Sequence, residues 1–433
     1  MYIENLGIPT VTICSEAFYP LAKAEAEAKG MPELAIVKVP HPLGSVKHDI
    51  AEQYGRNITD EVLELLCREQ DSIAVEAKVE DEYVKIDYSK DIELSFFKEV
   101  NDYFYQQHWT DGLPIIPPTK ELVDTMLRFS NDPANKTLGE FPPQWSETTI
   151  EKVAVNAVMA GCEPKYFPVV LAAIRALLHP KFNLYALQAT TNPVTPLLVI
   201  NGPIAKQLGM NSKANVFGNG NKVNLTIGRA IRLCMINIGN ALPGELDRAT
   251  QGQPGKISFC IAENEEENPW EPYHVENKFE LQESTVSVFG AAGTQNILDE
   301  SSTSAQSLLI MIAGTMTGLG TNNLSVGGEV LIVLSPEHAQ LIKDDGFSKK
   351  DVQKFLYDYA RVPLSALPEE TKKQLLYKRR PKWFLNVPDY YMAPIVDSPE
   401  DIKVIVAGSH GPHSTFIPSF GQASRTVTVP IET

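Results

Sequence analysis

The first forty residues follow a strand–helix–strand pattern that leaves few folds open to this chain. Residues 9–14 (PTVTIC) and 33–39 (ELAIVKV) are short runs rich in β-branched residues. Residues 18–29 have the composition of a helix that stops at Gly30. Strands joined through a helix pair in parallel by a right-handed crossover. The pattern predicts an α/β protein with a partial Rossmann-like unit, and we expect Met1 to lie inside that unit rather than before it.

The rest of the sequence divides into an acidic linker and a larger region. Helices are predicted at 48–56 and 59–70, whereas residues 71–90 are acidic, lack an apolar period and contain one candidate edge strand at 83–86. The predicted organisation is a Rossmann-like partial domain (1–70), a linker (71–90) and a large α/β or α+β domain with candidate ligand loops (91–433).

The large region alternates predicted helices and strands with connections rich in glycine and asparagine. Thr119 and Ser335 are predicted helix N-caps, and Ser348 with Asp351 resembles a capping box. A loop is predicted between the last two strands, and we detect no internal repeat. The predicted helices are 92–107, 148–160, 164–178 and 223–238, and the predicted strands are 196–200, 256–262, 284–289, 402–408 and 426–431.

The charge of the chain argues against binding to nucleic acid. The formal net charge is −16, and a protein that binds phosphates needs positive surface. Residues 349–382 are instead net positive, with ten Lys or Arg against four Asp or Glu, which indicates solvated helices or a docking face for an acidic partner. No apolar run reaches the ~18 residues of a membrane helix. Five scattered cysteines and the lack of a signal-like N-terminus predict a reducing, cytoplasmic location.

Two loops rich in glycine and amide residues are candidate substrate contacts. Glycine allows a ligand to approach the backbone closely, and asparagine offers both a donor and an acceptor. The alternative is a tight connection that needs positive φ. Neither a P-loop nor a dinucleotide fingerprint is present. The candidate substrate-binding residues here are Asn201, Gly202, Gly218, Asn219, Gly220, Asn221 and Arg229.

Two further segments contain candidate acid–base residues. Glu263 and Asn264 follow a predicted strand, and we expect Glu263 to face inward while the neighbouring glutamates are solvated. After the strand at 402–408, His410 and His413 flank Gly411-Pro412 and precede Ser414, a candidate substrate contact. One histidine is a candidate acid or base, although a structural loop or a shared metal is the alternative.

Two cysteines are candidate catalytic thiols. Cys162 lies between two predicted helices, where a helix N-terminus can lower a thiol pKa, and the alternative is a small buried apolar residue. Cys14 ends the first predicted strand, at the edge where ligands bind in parallel sheets.

Several segments resemble the UGSC family of cysteine- or selenocysteine-containing proteins. They include GIPTVTICSEAFYPLAKAEAEAKGMPELAIVKVPHPLG, DGLPIIPPT, AVNAVMAGCEPKYFPVVLAA, GRAIRLCMINIGNALPG and GKISFCIAENEEENPWEPYH, in collinear order along most of the chain. The family is named for a U/C-G-S-C motif before the GIPTV strand, and this sequence contains no CGSC. We expect a separate small subunit or an N-terminal extension to carry the motif, or this member to have lost it.

The resemblance implies thiol- or selenol-dependent chemistry on a small organic molecule, of a reductive or carbon–sulfur type. We expect an oxidoreductase or lyase in a heteromeric complex, with the reactive chalcogen reaching the strand ends near Cys14 and His41. Glu263, His410 or His413 would manage protons, and Cys162 is a candidate resolving thiol. The alternatives are a non-catalytic subunit that positions a CGSC or UGSC peptide, and a metal-dependent hydrolase or lyase that uses His410 and His413. The sequence identifies no cofactor.

Overall fold

The fold is described from a computed structural model, which covers residues 8–41, 48–67 and 94–432. A π-helical segment, Lys372–Leu376, lies between two short helices, Glu369–Thr371 and Tyr377–Arg379. The helices are α1 Tyr19–Ala28, α2 His48–Cys67, α3 Leu94–Gln106, α4 Lys120–Leu127, α5 Ile150–Ala160, α6 Phe167–Leu177, α7 Leu184–Ala189, α8 Pro203–Leu208, α9 Lys222–Asn237, α10 Tyr273–Glu276, α11 Ala305–Met316, α12 Asn322–Val326, α13 Pro336–Asp344, α14 Lys349–Tyr359, α15 Glu369–Thr371, α16 Tyr377–Arg379 and α17 Pro381–Phe384.

The strands form two four-stranded sheets and three two-stranded pairs within these residues. The strands are β1 Thr12–Ser15, β2 Ile36–Val39, β3 Thr137–Phe141, β4 Ser146–Thr149, β5 Thr195–Asn201, β6 Cys260–Ala262, β7 Thr285–Ala291, β8 Gln295–Leu298, β9 Val330–Leu334, β10 Arg361–Pro363, β11 Met392–Pro394, β12 Ile402–Val406, β13 His413–Ile417 and β14 Val427–Pro430. The first sheet has the order β14-β7-β5-β6, and the second has the order β12-β9-β13-β8. The α/β class is confirmed.

The N-terminal unit is the predicted β-α-β fragment. β1 and β2 pair in parallel, with Cys14 opposite Lys38, and α1 connects them. Gly30 follows α1 at φ +72°, the conformation expected of a glycine stop. Leu21 and Ala24 of α1 pack on Ala189 and Leu246 of the larger region. The unit is therefore seated on α7, the helix that ends at Ala189.

The two large sheets pack face to face between layers of helices. Side chains alternate along a strand, so Leu198 of β5 joins the core under α5, α6 and α9, whereas Leu197 joins a core between the sheets. In β9, Ile332 faces α11, α13 and α14, and Leu331 enters the same inter-sheet core. The order of layers is helices, sheet, sheet, helices, and both sheets are buried on both faces.

The two sheets repeat one topology and exchange their outer strands. In the first, β5 pairs in parallel with β6 and antiparallel with β7; in the second, β9 pairs in parallel with β12 and antiparallel with β13. β8 follows β7 in sequence but pairs with β13, and β14 follows β13 but pairs with β7. We call the part of the chain that contains β5 to β8 the first half and the part that contains β9 to β14 the second half. Each half therefore supplies an outer strand to the sheet of the other. This structural repeat has no counterpart detected in the sequence.

Several sequence predictions need correction. The helices predicted at 48–56 and 59–70 are one helix, α2, over its described length, because Gly55 continues the helix. The strand predicted at 256–262 begins only at Cys260, because Pro254–Lys256 forms a 3₁₀ turn. The loop predicted between the last strands contains β13, so His413 and Ser414 lie on a strand. The candidate linker at 71–90 and its strand at 83–86 lie outside the described residues.

The predicted capping residues are confirmed. The hydroxyl of Thr119 accepts from Leu122 N at 3.4 Å, and that of Ser335 accepts from His338 N at 3.3 Å. Ser348 and Asp351 form a complete capping box at the start of α14. These caps satisfy helix N–H groups that have no intrahelical partner, which is why short polar residues mark helix starts reliably.

Candidate functional site

The carboxyl ends of β5 and β6 bring together residues that are far apart in sequence. The two strands are parallel, with Ile200 opposite Ala262, so Asn201 and Glu263 emerge side by side. The carboxyl edge of parallel strands is where open α/β sheets bind ligands. Glu263 is 3 % exposed, as expected for an inward-facing carboxylate.

Glu263 is held by N–H donors from three directions. Its Oε2 accepts from Asn201 Nδ2 at 2.6 Å and from the backbone N of Tyr273 at 2.8 Å. Its Oε1 accepts from Asn268 Nδ2 at 2.9 Å. Buried carboxylates need such partners, because an unpaired buried charge is very unfavourable. The result is a carboxylate fixed in one orientation.

A second glutamate connects this carboxylate to a buried histidine. Glu265 Oε1 accepts from Asn201 Nδ2 at 2.8 Å and from Gly202 N at 2.7 Å. The same oxygen lies 3.7 Å from Nδ1 of His274, a fully buried side chain. We call Asn201, Glu263, Glu265 and His274 the edge network.

The edge network contains polar atoms without partners. Within the described residues, neither ring nitrogen of His274 makes a hydrogen bond, and the same holds for Asn201 Oδ1. Thr285, opposite Asn201 on β7, has a buried hydroxyl that is also unpaired. Buried polar groups are normally satisfied, so four such atoms along one strand edge mark a candidate binding or catalytic centre.

A surface branch brings His410 to the same sheet edge. Asn264 Nδ2 donates to Glu267 Oε2 at 2.7 Å, and His410 Nε2 lies 2.9 Å from Glu267 Oε1. The hydrogen bond from Asn264 lowers the pKa of Glu267, with a smaller contribution from His410, against the opposing effect of burial. His410 is exposed, so the branch runs from the buried strand end to the surface.

His413 contacts a different part of the molecule. It lies on β13, and its Nδ1 is 3.0 Å from Asn296 Oδ1 of β8. Within residues 8–41, 48–67 and 94–432, no group of three or more His, Cys, Asp or Glu is arranged to hold a metal ion. The separate partners of His410 and His413 give a shared metal no support.

Ser414 forms a buried pair with a histidine that the sequence analysis did not select. Its hydroxyl accepts from Ser335 N at 3.1 Å and lies 2.7 Å from Nδ1 of His338, whose Nε2 is 3.2 Å from the carbonyl of Asp299. A carbonyl only accepts, so His338 donates to Asp299 through Nε2. This pair lies at the carboxyl end of β9, the counterpart of the edge network in the second sheet.

Cys162 borders a cavity of about 370 Å³ whose walls include Met126 and Val158. Burial raises the pKa of its thiol to about 12, and a hydrogen bond with Thr226 only partly opposes this effect. The thiol is therefore protonated at neutral pH, and a thiol rather than a thiolate is a poor nucleophile.

Cys14 lies at the carboxyl end of β1, where the predicted chalcogen would arrive. Burial raises the pKa of its thiol, and the neighbouring Lys38 opposes this effect. The adjacent Ser15 hydroxyl is 3.1 Å from Nδ1 of His41, whose ring also packs edge-on against Phe18. These two contacts hold His41 beside the carboxyl ends of β1 and β2.

The remaining candidates hold local structure. Gly218 leaves room for the side chain of Asn215, which donates to Asn219 O at 2.9 Å. Asn221 caps α9 by accepting from Asn224 N at 3.0 Å. The Arg229 guanidinium makes two 2.8 Å bonds to Asp111 and fastens the DGLPIIPP loop. Gly220 lies in the same loop as Gly218. None of these residues contacts the edge network.

Sequence reasoning found half of the edge network. Asn201 was predicted as a substrate contact in a loop rich in glycine and amide residues, and Glu263 as an inward-facing carboxylate after a strand, but His274 and Glu265 were not selected. His274 lies twelve residues after the end of β6, on the short helix α10, and nothing in its local pattern marks it as buried. The one feature of the sequence that could have pointed to His274 is that it follows the glutamate-rich segment after β6.

Comparison with known proteins identifies the N-terminal segment. The UGSC family matches residues 1–68, which confirms the predicted resemblance for that part of the chain. No curated protein matches the chain. None of the described helices is both long and apolar enough to cross a membrane.

Proposed function

We propose that this protein is part of a thiol- or selenol-dependent enzyme that acts on a small organic molecule, with proton transfer at the edge network. The carrying observation is the fixed carboxylate of Glu263, linked through Asn201 and Glu265 to a buried histidine with two unpartnered nitrogens. A positioned carboxylate and a histidine are the groups most used for general acid–base catalysis.

The reactive chalcogen in this proposal comes from a U/C-G-S-C segment, which is what the family resemblance implies. Support comes from the cysteines themselves, because burial raises the pKa of Cys14, Cys162, Cys234 and Cys260. Cys67 is exposed on α2. A nucleophilic thiolate needs a lowered pKa, so the four buried or half-buried thiols are poor candidates for that role.

The first test is intact-mass analysis and peptide mapping of the native complex from its own host. We expect that complex to contain a peptide that carries CGSC or UGSC. Iodoacetamide at neutral pH should modify that motif and leave Cys162 untouched. A complex without the motif would remove the chalcogen from the proposal.

The second test addresses proton transfer in the same complex. Glu263→Gln and His274→Gln should each lower kcat at least 100-fold, which is the lower range for loss of a general acid or base. Glu266→Gln is the matched control, because this glutamate of the same loop pairs with Lys206 and Lys213 on the surface. The acid–base assignment is wrong if the three variants turn over equally, and a triple variant of Glu263, His410 and His413 with normal turnover would also reject it.

A second candidate is a subunit that positions a catalytic peptide without taking part in the chemistry. The raised thiol pKa values favour it as much as they favour an external nucleophile. The same variants separate the two, because a positioning subunit would keep kcat in Glu263→Gln while weakening assembly.

A further inference from the structure

A second cavity lies at the opposite end of the sheets from the edge network. It has a volume of about 800 Å³, within the usual range for small-molecule sites. Thr190 to Pro193 form one wall just before β5, and α12 forms another just before β9. Since β5 spans Thr195–Asn201, the cavity is about 20 Å from Glu263. It is a separate site.

The chemistry of its walls is unusual for so acidic a protein. The lining residues, all within the described chain, include no Asp and no Glu, although the net charge is −16. They include three hydroxyl residues, three amide residues and Phe420. The single charged residue among them is Arg379.

Arg379 is available to a ligand. In the part of the chain that the structure describes, its guanidinium has neither an ion pair nor a hydrogen bond, and its side chain is exposed. The neighbouring Arg380 is different, because it is buried and bonded to Asp397 at 2.7 Å. Arg380 therefore forms an ion pair inside the protein, whereas Arg379 lies on the cavity wall.

The amides on the wall are oriented by the protein and keep polar atoms for a ligand. Asn192 Oδ1 accepts from Val194 N at 3.0 Å, which leaves its NH₂ group as a donor. Asn322 Nδ2 donates to Ser419 O at 3.2 Å, which leaves its carbonyl oxygen. Gln422 Nε2 donates to Asp397, and that carboxylate is already neutralised by Arg380. These side chains cannot turn freely, so their remaining atoms are preorganised.

We propose that this cavity binds a small organic molecule bearing one carboxylate, which pairs with Arg379. A planar guanidinium matches a carboxylate through two parallel hydrogen bonds. One cation among neutral groups balances a single negative charge, whereas a phosphate dianion needs more. The hydroxyl and amide groups contact the polar remainder of the molecule, and Phe420 covers its apolar part. This inference is independent of the proposed acid–base function.

The test is calorimetric titration of the full chain with sodium acetate and benzoate, with acetamide, benzamide and inorganic phosphate as comparisons. We expect a carboxylate to bind at millimolar concentration or below, and its amide and phosphate not to bind. Arg379→Gln should weaken binding at least tenfold. Lys378→Gln, which changes an exposed cation next to Arg379 that does not line the cavity, should leave binding unchanged.

A chemical readout checks the same site. The bound carboxylate should protect Arg379 from phenylglyoxal, as seen by peptide mapping. The proposal is overturned if no carboxylate binds, if phosphate binds as well as the carboxylates do, or if Arg379→Gln and Lys378→Gln bind alike.

Discussion

At the scale of single residues, the same side-chain type has different tasks according to its burial. Arg229 and Asp111 form a bidentate pair in which the Asp111 side chain is only 4 % exposed. Lys98 and Asp102 form a loose pair on the surface, 3.5 Å apart. Removing one partner of a buried pair leaves a charge without compensation, whereas a surface pair contributes little. The first pair, predicted as a substrate contact through Arg229, fastens a loop.

We therefore expect Arg229→Ala to lower the free energy of unfolding by about 3 kcal/mol, because Asp111 loses its partner. Lys98→Ala should lower it by less than about 1 kcal/mol. Urea denaturation of the two variants measures both values. Equal losses of free energy in the two variants would show that the buried Arg229–Asp111 pair stabilises the protein no more than the surface pair does.

The buried thiols predict a loss of stability in alkali. Burial raises the pKa of Cys162 from 9.0 to about 12 and raises that of Cys234 and Cys260 in the same direction. Above pH 9 the unfolded chain releases these protons while the folded chain keeps them, so rising pH favours unfolding. Each thiol contributes a slope of up to ~1.4 kcal/mol per pH unit.

We expect the free energy of unfolding to be independent of these thiols below pH 9 and to fall from there toward pH 12. Cys162→Ala should make that fall shallower by up to ~1.4 kcal/mol per pH unit, measured by urea denaturation at several pH values. Cys67→Ala, a change of an exposed cysteine, is the control. If Cys162→Ala leaves the slope unchanged, the thiol of Cys162 ionises equally in both states.

At the scale of elements, glycines inside helices show why the sequence misplaced some boundaries. Gly55 lies in the middle of α2, and a Cβ built there meets nothing within 4 Å. Gly228 lies in the middle of α9, and a Cβ there would come within 2.4 Å of Ser258 Oγ and 2.7 Å of Phe259 N. The sequence predicted a break in the helix shortly after Gly55, but the helix continues there. The glycine that allows a close contact between elements is Gly228, in a helix that was predicted without a break.

These two glycines give opposite predictions for the same substitution. Gly55→Ala should stabilise α2 by about 0.5–1 kcal/mol, because alanine favours a helix. Gly228→Ala should destabilise the protein by about 1–3 kcal/mol, because α9 must move away from β6. Hydrogen exchange of α2 measures the first effect, and urea denaturation measures the second. A stabilising Gly228→Ala would show that the α9–β6 contact is looser than described.

Local patterns predicted α5, α6 and α9 and the strands β5, β7, β12 and β14, because caps and apolar periods are encoded within a few residues, whereas α11 and the central strand β9 were not predicted. They missed β13 because Gly411, Pro412 and Pro418 surround it and because its pairing with β9 and β8 is a long-range event. The same difference between local patterns and long-range contacts explains which residues of the edge network were predicted. Asn201 was predicted from the composition of its loop and Glu263 from its place after a strand, but the approach of His274 to Glu265 depends on how α10 packs against the sheet.

At the scale of the whole molecule, the exchange of β8 and β14 ties the two halves together. Neither large sheet is complete without a strand from the other half, and residues of both sheets share the inter-sheet core. Loss of either half would therefore remove a strand from the other sheet and expose the inter-sheet core. We infer that the two halves have one unfolding transition despite their repeated topology.

A substitution in one half should therefore be sensed equally in the other. Leu198→Ala in the first sheet removes a buried side chain and should lower stability by about 2–5 kcal/mol. Variants that keep only Trp109, beside α3 in the first half, or only Trp383, on α17 in the second half, report each half by fluorescence. Leu198→Ala should shift the urea midpoint by the same amount in both reporters, and Leu281→Ala, a change of an exposed leucine, should shift neither. If only the Trp109 reporter responds, the halves unfold separately, and the exchanged strands serve to align the two sheet edges rather than to couple their stability.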